Sequence, residues 1–480
     1  MLLKLFIVAL SLTPSFARAA SLIPWSEEVL SHIKSENFTN QNCASYLANI
    51  ESALDAINPN SPQAGNLKAD AGVLIQNLWL ARLALHDRLQ TASPACAKEM
   101  RSAFRQLRFA EDFLGELKAQ VENLDPATVD FQAQAVPTRE DKPYYLMQTK
   151  NGQALQLQEG DLMIARGNSF LSATIARLGD IDSQFSHVIL VVRDPETNLL
   201  ETVESYVGEG VNFHEMNWAL KNSNSRLLVL RAKNQAVAKR AAEDIWALVK
   251  ARQGANKIYY DYALDFNNHD TMSCAEVAQF AFSKAGDELN TPFNLPERPS
   301  TLTHGLDLLK RLGVKPGSTF TPGDLEYDSR FEMIAEFHDL RLTLDSRLRD
   351  AIMTKALAWM DNENAVLHPS FKSKLAQGLI FKLRRTRLWP AVRKLLKTPD
   401  FSEEIPRNML GTMALITQMG DGMLKELKSR DQLQFIETGF HFTYLELYKE
   451  LDSMKLIDKQ KFENRKTRKR SIILKFLRPQ

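Results

Sequence analysis

The chain has 480 residues, 44% of them hydrophobic and 25% charged, with a formal net charge of +2. That balance is globular, which excludes a wholly disordered chain and allows two to four domains at about 150 residues each. A near-neutral total gives no reason to name nucleic acid as a partner.

Residues 1–19 predict a targeting segment. Lys4 precedes the apolar run Leu5-Phe6-Ile7-Val8-Ala9-Leu10, and Ala17-Arg18-Ala19 fits small-x-small cleavage. The stretch is too short to span a bilayer, no later run is long enough to do so, and no cysteine stands at the cut to carry a lipid. The mature chain is expected to start at Ala20 and to be periplasmic or secreted.

Residues 20–130 read as a helical bundle, with helices over Ala44–Ile57, Leu67–Leu89 and about Ala95–Val121. Asn58-Pro59-Asn60-Ser61-Pro62 breaks the first repeat. Cys43 and Cys96 fall in this bundle, and Cys274 lies far away. In an oxidising compartment the economical assignment is a Cys43–Cys96 disulfide with Cys274 free; three buried thiols are the alternative. Pro137, Pro143 and the polar run Thr138-Arg139-Glu140-Asp141-Lys142 predict an extended linker over 131–157.

Residues 158–335 change to an α+β pattern. A Glu159-Gly160 turn leads into a strand over Asp161–Ala165, then a short helix over Ser169–Leu178. Strands follow over Val188–Val192, Leu199–Ser205 and Leu227–Leu230, with a helix over Ala236–Val249 and another opening at Cys274. Residues 336–480 are helical again. Lys382, Arg384, Arg385, Arg387, Arg393, Lys394 and Lys397 interleave with apolar residues such as Leu388 and Trp389, and the tail adds Arg465-Lys466-Thr467-Arg468-Lys469-Arg470. Such interleaving predicts contact with an anionic membrane surface, solvated helix faces being the alternative.

The chemistry-bearing residues converge on one order, histidine before cysteine. Ser273 and Glu276 bracket Cys274 in a capping-box spacing, which places the thiol at a helix N-terminus, where the thiolate is favoured. His187 opens an apolar strand in Phe185-Ser186-His187-Val188-Ile189-Leu190. Glu204, on the strand expected to pair beside it, is placed to accept the second imidazole N–H and fix its tautomer. His269 and Glu201 are the rival base and carboxylate, and each of the three chosen groups also has an ordinary structural reading. Tyr260, Asp261 and Ser186 are weaker candidates for contact with substrate. With no HExxH, CxxC, P-loop or dinucleotide fingerprint, neither metal nor cofactor is expected.

This ordered set resembles the circularly permuted papain-like amidases of the YaeF/YiiX type, a branch of the NlpC-like superfamily. The resemblance covers about residues 157–335 and rests on Gly160-Asp161, Ser186-His187-Val188, Val203-Glu204, Tyr260-Asp261, Cys274-Ala275-Glu276 and the later Pro322-Gly323-Asp324-Leu325-Glu326. Ala275 departs from it, standing where the family usually has serine. The resemblance implies a permuted papain-like domain between helical flanks, with Cys274 as nucleophile, His187 as base and Glu204 as orienting group. The expected function is an exported thiol hydrolase cleaving an amide bond, in a cell-wall peptide or similar. The alternatives are a lipid esterase, acyltransferase or thioesterase using the same triad, and a non-catalytic binding scaffold.

Overall fold

The computed structural model describes residues 22–55, 64–121, 144–148, 155–369 apart from 181, 222, 223 and 316, and 405–479, with Gly378, Phe381, Lys382, Leu383, Thr386 and Trp389 between. The expected targeting segment 1–19 and most of the basic tract 382–397 lie outside the described residues.

The first apolar repeats form helices α1 (Ile23–Lys34), α2 (Cys43–Asp55), α3 (Ala64–Arg88) and α4 (Pro94–Val121). Pro94 opens α4, where a missing N–H costs no helical hydrogen bond. Cys43 opens α2 and Cys96 lies in the first turn of α4; their Cα atoms stand 5.5 Å apart across a disulfide, and Cys274 is free. A disulfide of this kind is compatible with an oxidising compartment. No helix of the described residues is long and apolar enough to cross a membrane.

The middle of the chain is mixed α and β. It runs β1 (Tyr144–Gln148), β2 (Leu162–Gly167), α5 (Phe170–Ile175), β3 (His187–Arg193), β4 (Leu200–Tyr206), β5 (Gly210–Glu215) and α6 (Met216–Lys221). Then come β6 (Asn224–Ala232), α7 (Gln235–Ala251), α8 (Cys274–Glu288), β7 (Ser300–Thr301), α9 (Leu306–Leu312), β8 (Ser318–Thr319) and β9 (Phe331–Asp339). The last part is α10 (Leu340–Glu363), β10 (Ala365–Leu367), α11 (Arg407–Thr438), α12 (Tyr444–Glu463) and β11 (Leu477–Pro479).

Seven strands form one antiparallel sheet in the order β1-β9-β6-β2-β3-β4-β5. Its central strands are buried on both faces, which is why β3 reads as an unbroken apolar run. Val188, Leu190 and Val192 join Ile245 of α7 and Val277 and Ala281 of α8 in the main core, which also takes in α1 to α4. Ile189 and Val191 face the other way, with Met163, Val229 and Phe337. At the start of β2, Gly160 adopts φ +85°, and a Cβ there would meet the Ala238 backbone at 2.5 Å, so only glycine fits. Asp161 beside it receives Arg231 at 2.8 and 2.7 Å.

Three expected boundaries shift. The linker 131–157 contributes β1, which pairs with β9 at the sheet edge, and the boundary at 335 falls inside β9, because the strand runs on to Asp339 beside both β6 and β1. The short helix ends at Ile175 rather than Leu178. The helical flank is not a separate body either, since α3 and α4 share both a core and a set of buried charges with the sheet.

Those charges are fully enclosed. Arg82 of α3 donates to Glu111 of α4 at 2.7 Å, to Glu326 at 2.8 Å and to Glu336 of β9 at 2.6 Å. Arg108 of α4 reaches Glu326, and Arg226 of β6 reaches Asp112 of α4. Removing one member of such a set leaves its partners charged, dry and unpaired. Arg82→Ala is therefore expected to destabilise the protein by about 3–5 kcal/mol, read from chemical denaturation; a loss no larger than for an exposed arginine would contradict this account.

Candidate active site

Strand alternation assembles the site. On β4, Thr202, Glu204 and Tyr206 point to one face and Ser205 to the other. The β3–β4 register sets Tyr206 beside His187, their rings 4.4 Å apart, and Glu204 on the diagonal. His187 Nε2 lies 2.8 Å from Glu204 Oε2. Across the strand, the Ser205 hydroxyl donates to the Met272 carbonyl at 2.6 Å and so pins the segment that leads into α8. Neighbouring residues of one strand thus hold the carboxylate and the thiol loop.

Cys274 is the first residue of α8, and the capping box is formed: Ser273 Oγ accepts the Glu276 N–H, and the Glu276 carboxylate accepts the Ser273 N–H. The first N–H groups of a helix have no intrahelical acceptor, so they face outward at the thiol. Cys274 and His187 are each 8% exposed, shielded but reachable. The thiol and the His187 ring line the same cleft and interact there. Glu204 occupies Nε2, which leaves Nδ1 for the sulfur.

The electrostatics favour a charged imidazole. Burial alone would lower the His187 pKa, but the hydrogen bonds to Cys274 and Glu204 and the charges behind them push it up to about 10. Burial would raise Glu204, yet His187, Thr202 and Tyr206 hold it below the usual carboxylate value. Thr202 Oγ1 donates to Oε1 and Tyr206 Oη to Oε2, each at 2.7 Å. His214 Nδ1 is 3.6 Å from Oε1, and its ring stacks on Trp218 at 3.9 Å. Thr202, Tyr206, His214 and Trp218 escaped the sequence reading. The signal for the first two was present, since they flank Glu204 at i−2 and i+2 of a strand; His214 and Trp218 depend on the β4–β5 register and on α6.

The other candidates divide. Ser186 and Tyr260 line a cleft of about 340 Å³ together with His187 and Cys274. Ser186 Oγ accepts the Gly167 N–H at 3.2 Å and donates to the Ala165 carbonyl at 3.3 Å, so it knits β2 to β3. Burial, then the negative charges at Cys274 and Glu276, push the Tyr260 phenol well up, which keeps it a donor. Asp261 does not line the cleft: its oxygens accept the Ala263 and Asp265 N–H groups at 2.8 and 2.5 Å, closing a turn. Burial foremost, opposed by Ser273 and reinforced by Asp261, pushes Glu276 up to about 8. His269 is exposed against Phe280, and Glu201 lies on the strand face opposite Glu204 by odd-even alternation, so neither rival joins the site.

The far wall of the cleft is α5. Leu171, Ser172 and Ile175 face the cleft, while Phe170 and Ala173 are buried in the C-terminal core with α10, α11 and α12. Asn168, just before α5, accepts Arg349 of α10 at 2.7 Å, and Arg177, just after it, donates to Thr354 at 2.7 Å and Asp350 at 2.8 Å. The C-terminal helices therefore brace one side of the cleft.

As for a metal, Glu111, Glu336 and His338 have ligand atoms within 4.8 Å of one another. The Arg82 guanidinium already bridges the two carboxylates, supplying the positive charge an ion would bring.

A Cβ at Gly420 of α11 would stand 2.6 Å from the Phe170 ring. Gly420→Ala should cost about 1–3 kcal/mol by overpacking and should shift α5. Labelling of Cys274 by a bulky maleimide should then change, while a compact methanethiosulfonate should react at an unchanged rate. Unchanged rates for both would disconnect the C-terminal core from the cleft.

No family model, no curated protein and no solved structure matches this chain.

Proposed function

We propose that the chain is an exported cysteine hydrolase that opens an acyl bond through a covalent intermediate on Cys274, in the manner of the permuted papain-like amidases it resembles. The observation that carries this reading is that Cys274 and His187 face one cleft, with His187 hydrogen-bonded to the buried Glu204 behind it. A scaffold has no need of an imidazole held charged beside a free thiol.

The chemistry follows from the geometry. The Cys274 thiolate attacks the substrate carbonyl carbon, forming a C–S bond and an oxyanion. The Cys274 N–H at the helix start and the Tyr260 hydroxyl are the donors for that oxyanion. Collapse breaks the bond to the leaving group, which takes the proton from the His187 imidazolium. His187, now neutral, removes a proton from water as the water attacks the thioester. The acid leaves, and the proton returns the imidazolium–thiolate pair. Glu204 holds the ring in register and balances its charge.

The amide bond of a cell-wall peptide rests on the resemblance. A second reading, the acyl bond of a lipid or other ester, is favoured by the lining: Leu171, Ile175 and Val207 face the cleft, and no lysine or arginine lines it among the described residues. Muropeptides, acylated phospholipids and a nitrophenyl ester offered in parallel separate the two. With the substrate that turns over, Cys274→Ala should lower kcat by at least roughly 10³-fold. If no substrate turns over and Cys274 is alkylated no faster folded than denatured, the hydrolase reading fails.

The His187 pKa also fixes a pH dependence. The folded chain holds this proton up to about pH 10, whereas an unfolded histidine releases it near about 6.5. The stability contributed by the proton is thus complete below the lower value and is lost as pH rises through the upper one. The alkaline limb of kcat/KM should lie near 10. Glu204→Gln should move it down toward the ordinary imidazole value; a limb that stays in place would remove Glu204 from the triad.

A further inference from the structure

We propose that the turn after α12 is a docking surface for an anionic phospholipid bilayer, bound from outside by charge and shallow apolar contact. The inference is independent of the hydrolase reading. Residues 458–479 carry nine Lys or Arg against two acids. One of the acids, Asp458, is buried and does not face the surface.

The turn is built to hold its cations in place. Asp458 accepts the Ser471 hydroxyl at 2.7 Å and the N–H groups of Ile472, Ile473 and Leu474 at 2.8, 3.1 and 2.7 Å. Ile473 and Leu477 are buried in the C-terminal core, and β11 pairs with β10. The apolar part of the tail is therefore turned inward, and it cannot serve as an inserted anchor without unfolding that core. Arg468 Nε and Thr467 Oγ1 cap the last carbonyls of α12, on Phe462 and Lys461, each at 2.8 Å.

What remains outward is positive. Arg465, Lys466, Lys469 and Arg470 are exposed, and among the described residues none has a carboxylate partner. Like charges held together without partners repel one another, and an anionic surface relieves that repulsion. Leu456 decides between a bilayer and a soluble polyanion. It is 63% exposed, and lies one turn before Lys459 on the same face of α12. Phe462 and Phe476 lie half-buried beside Arg468 and Lys475. Apolar side chains beside cations gain by shallow burial among lipid headgroups and gain nothing on a phosphate chain.

Each basic residue near an anionic bilayer strengthens partitioning about fivefold. Flotation of the full mature chain with phosphatidylcholine vesicles, with and without phosphatidylglycerol, should show binding only to the anionic vesicles and its loss at high salt. The triple variant Lys466→Ala, Lys469→Ala, Arg470→Ala should weaken that binding about a hundredfold with an unchanged melting temperature, because these side chains are exposed. Leu456→Ser should weaken vesicle binding and leave retention on immobilised polyphosphate unaltered. Equal binding to both vesicle types, binding to neither, or a triple variant that binds like the parent would overturn the proposal. So would polyphosphate competing for the turn with Leu456→Ser without effect on vesicles.

Discussion

Charge without water is the constraint on which this structure depends. Arg82, Arg108 and Arg226 sit between the N-terminal helices and the sheet, where each must find carboxylates or destabilise the fold. Glu336 shows the balance: burial pushes its pKa up, but Arg82, then His338 and Arg226, hold it well below the usual carboxylate range. The same network reaches the site. Arg108 donates to the Gln184 side chain at 2.9 Å and to the Ser183 carbonyl at 3.0 Å, and its guanidinium lies 5.1 Å from the centre of the Phe185 ring. Gln184 is held at φ +58°, a left-handed conformation that a side chain rarely adopts. Three residues later comes His187, so the buried arginine fixes the path by which the imidazole arrives at the thiol.

The parts of this arrangement legible in the sequence are those encoded locally. The capping box at Ser273 and Glu276 and the apolar run after His187 each depend on residues a few positions apart, and both form where the pattern puts them. The Cys43–Cys96 pairing follows from compartment and from the distance of Cys274. What stayed hidden depends on distant partners. Arg82 looks like a polar position on an amphipathic helix, yet its carboxylates come from α4, the turn at 322–327 and β9, so nothing within α3 marks it as buried. The strand limits were hidden for the same reason: β1 pairs only with the distant β9, and the end of β9 lies between β1 and β6.

The short helix α5 shows how a boundary between cores can become part of a site. Six residues long, it is too short to be stable alone. Ser169 caps it, accepting the Ser172 N–H at 3.0 Å, and burial of Phe170 and Ala173 among the C-terminal helices holds it down. Burying one phenylalanine contributes roughly 2–3 kcal/mol, more than the cap at about 1 kcal/mol. The cleft wall is therefore fixed chiefly from behind, by helices that come much later in the chain. Changes in those helices alter the shape of the cleft without touching Cys274, His187 or Glu204.

The site itself works as an alternating row of charge. A lone ionised Glu204 at 0% exposure would be driven to protonate. Three donors prevent this: the His187 ring at 2.8 Å, Thr202 and Tyr206, the last two at 2.7 Å. The retained negative charge then helps to hold the imidazolium, and the imidazolium is what a thiolate nucleophile requires beside it. Neutralising Glu204 and removing one of its hydroxyl donors are consequently different perturbations. The first takes away the charge that keeps His187 protonated. The second leaves that charge in place and weakens only its solvation, a loss of about 1.5–3 kcal/mol for a hydrogen bond to a charged group. In the proposed mechanism Thr202 and Tyr206 would act through the carboxylate, without touching the substrate.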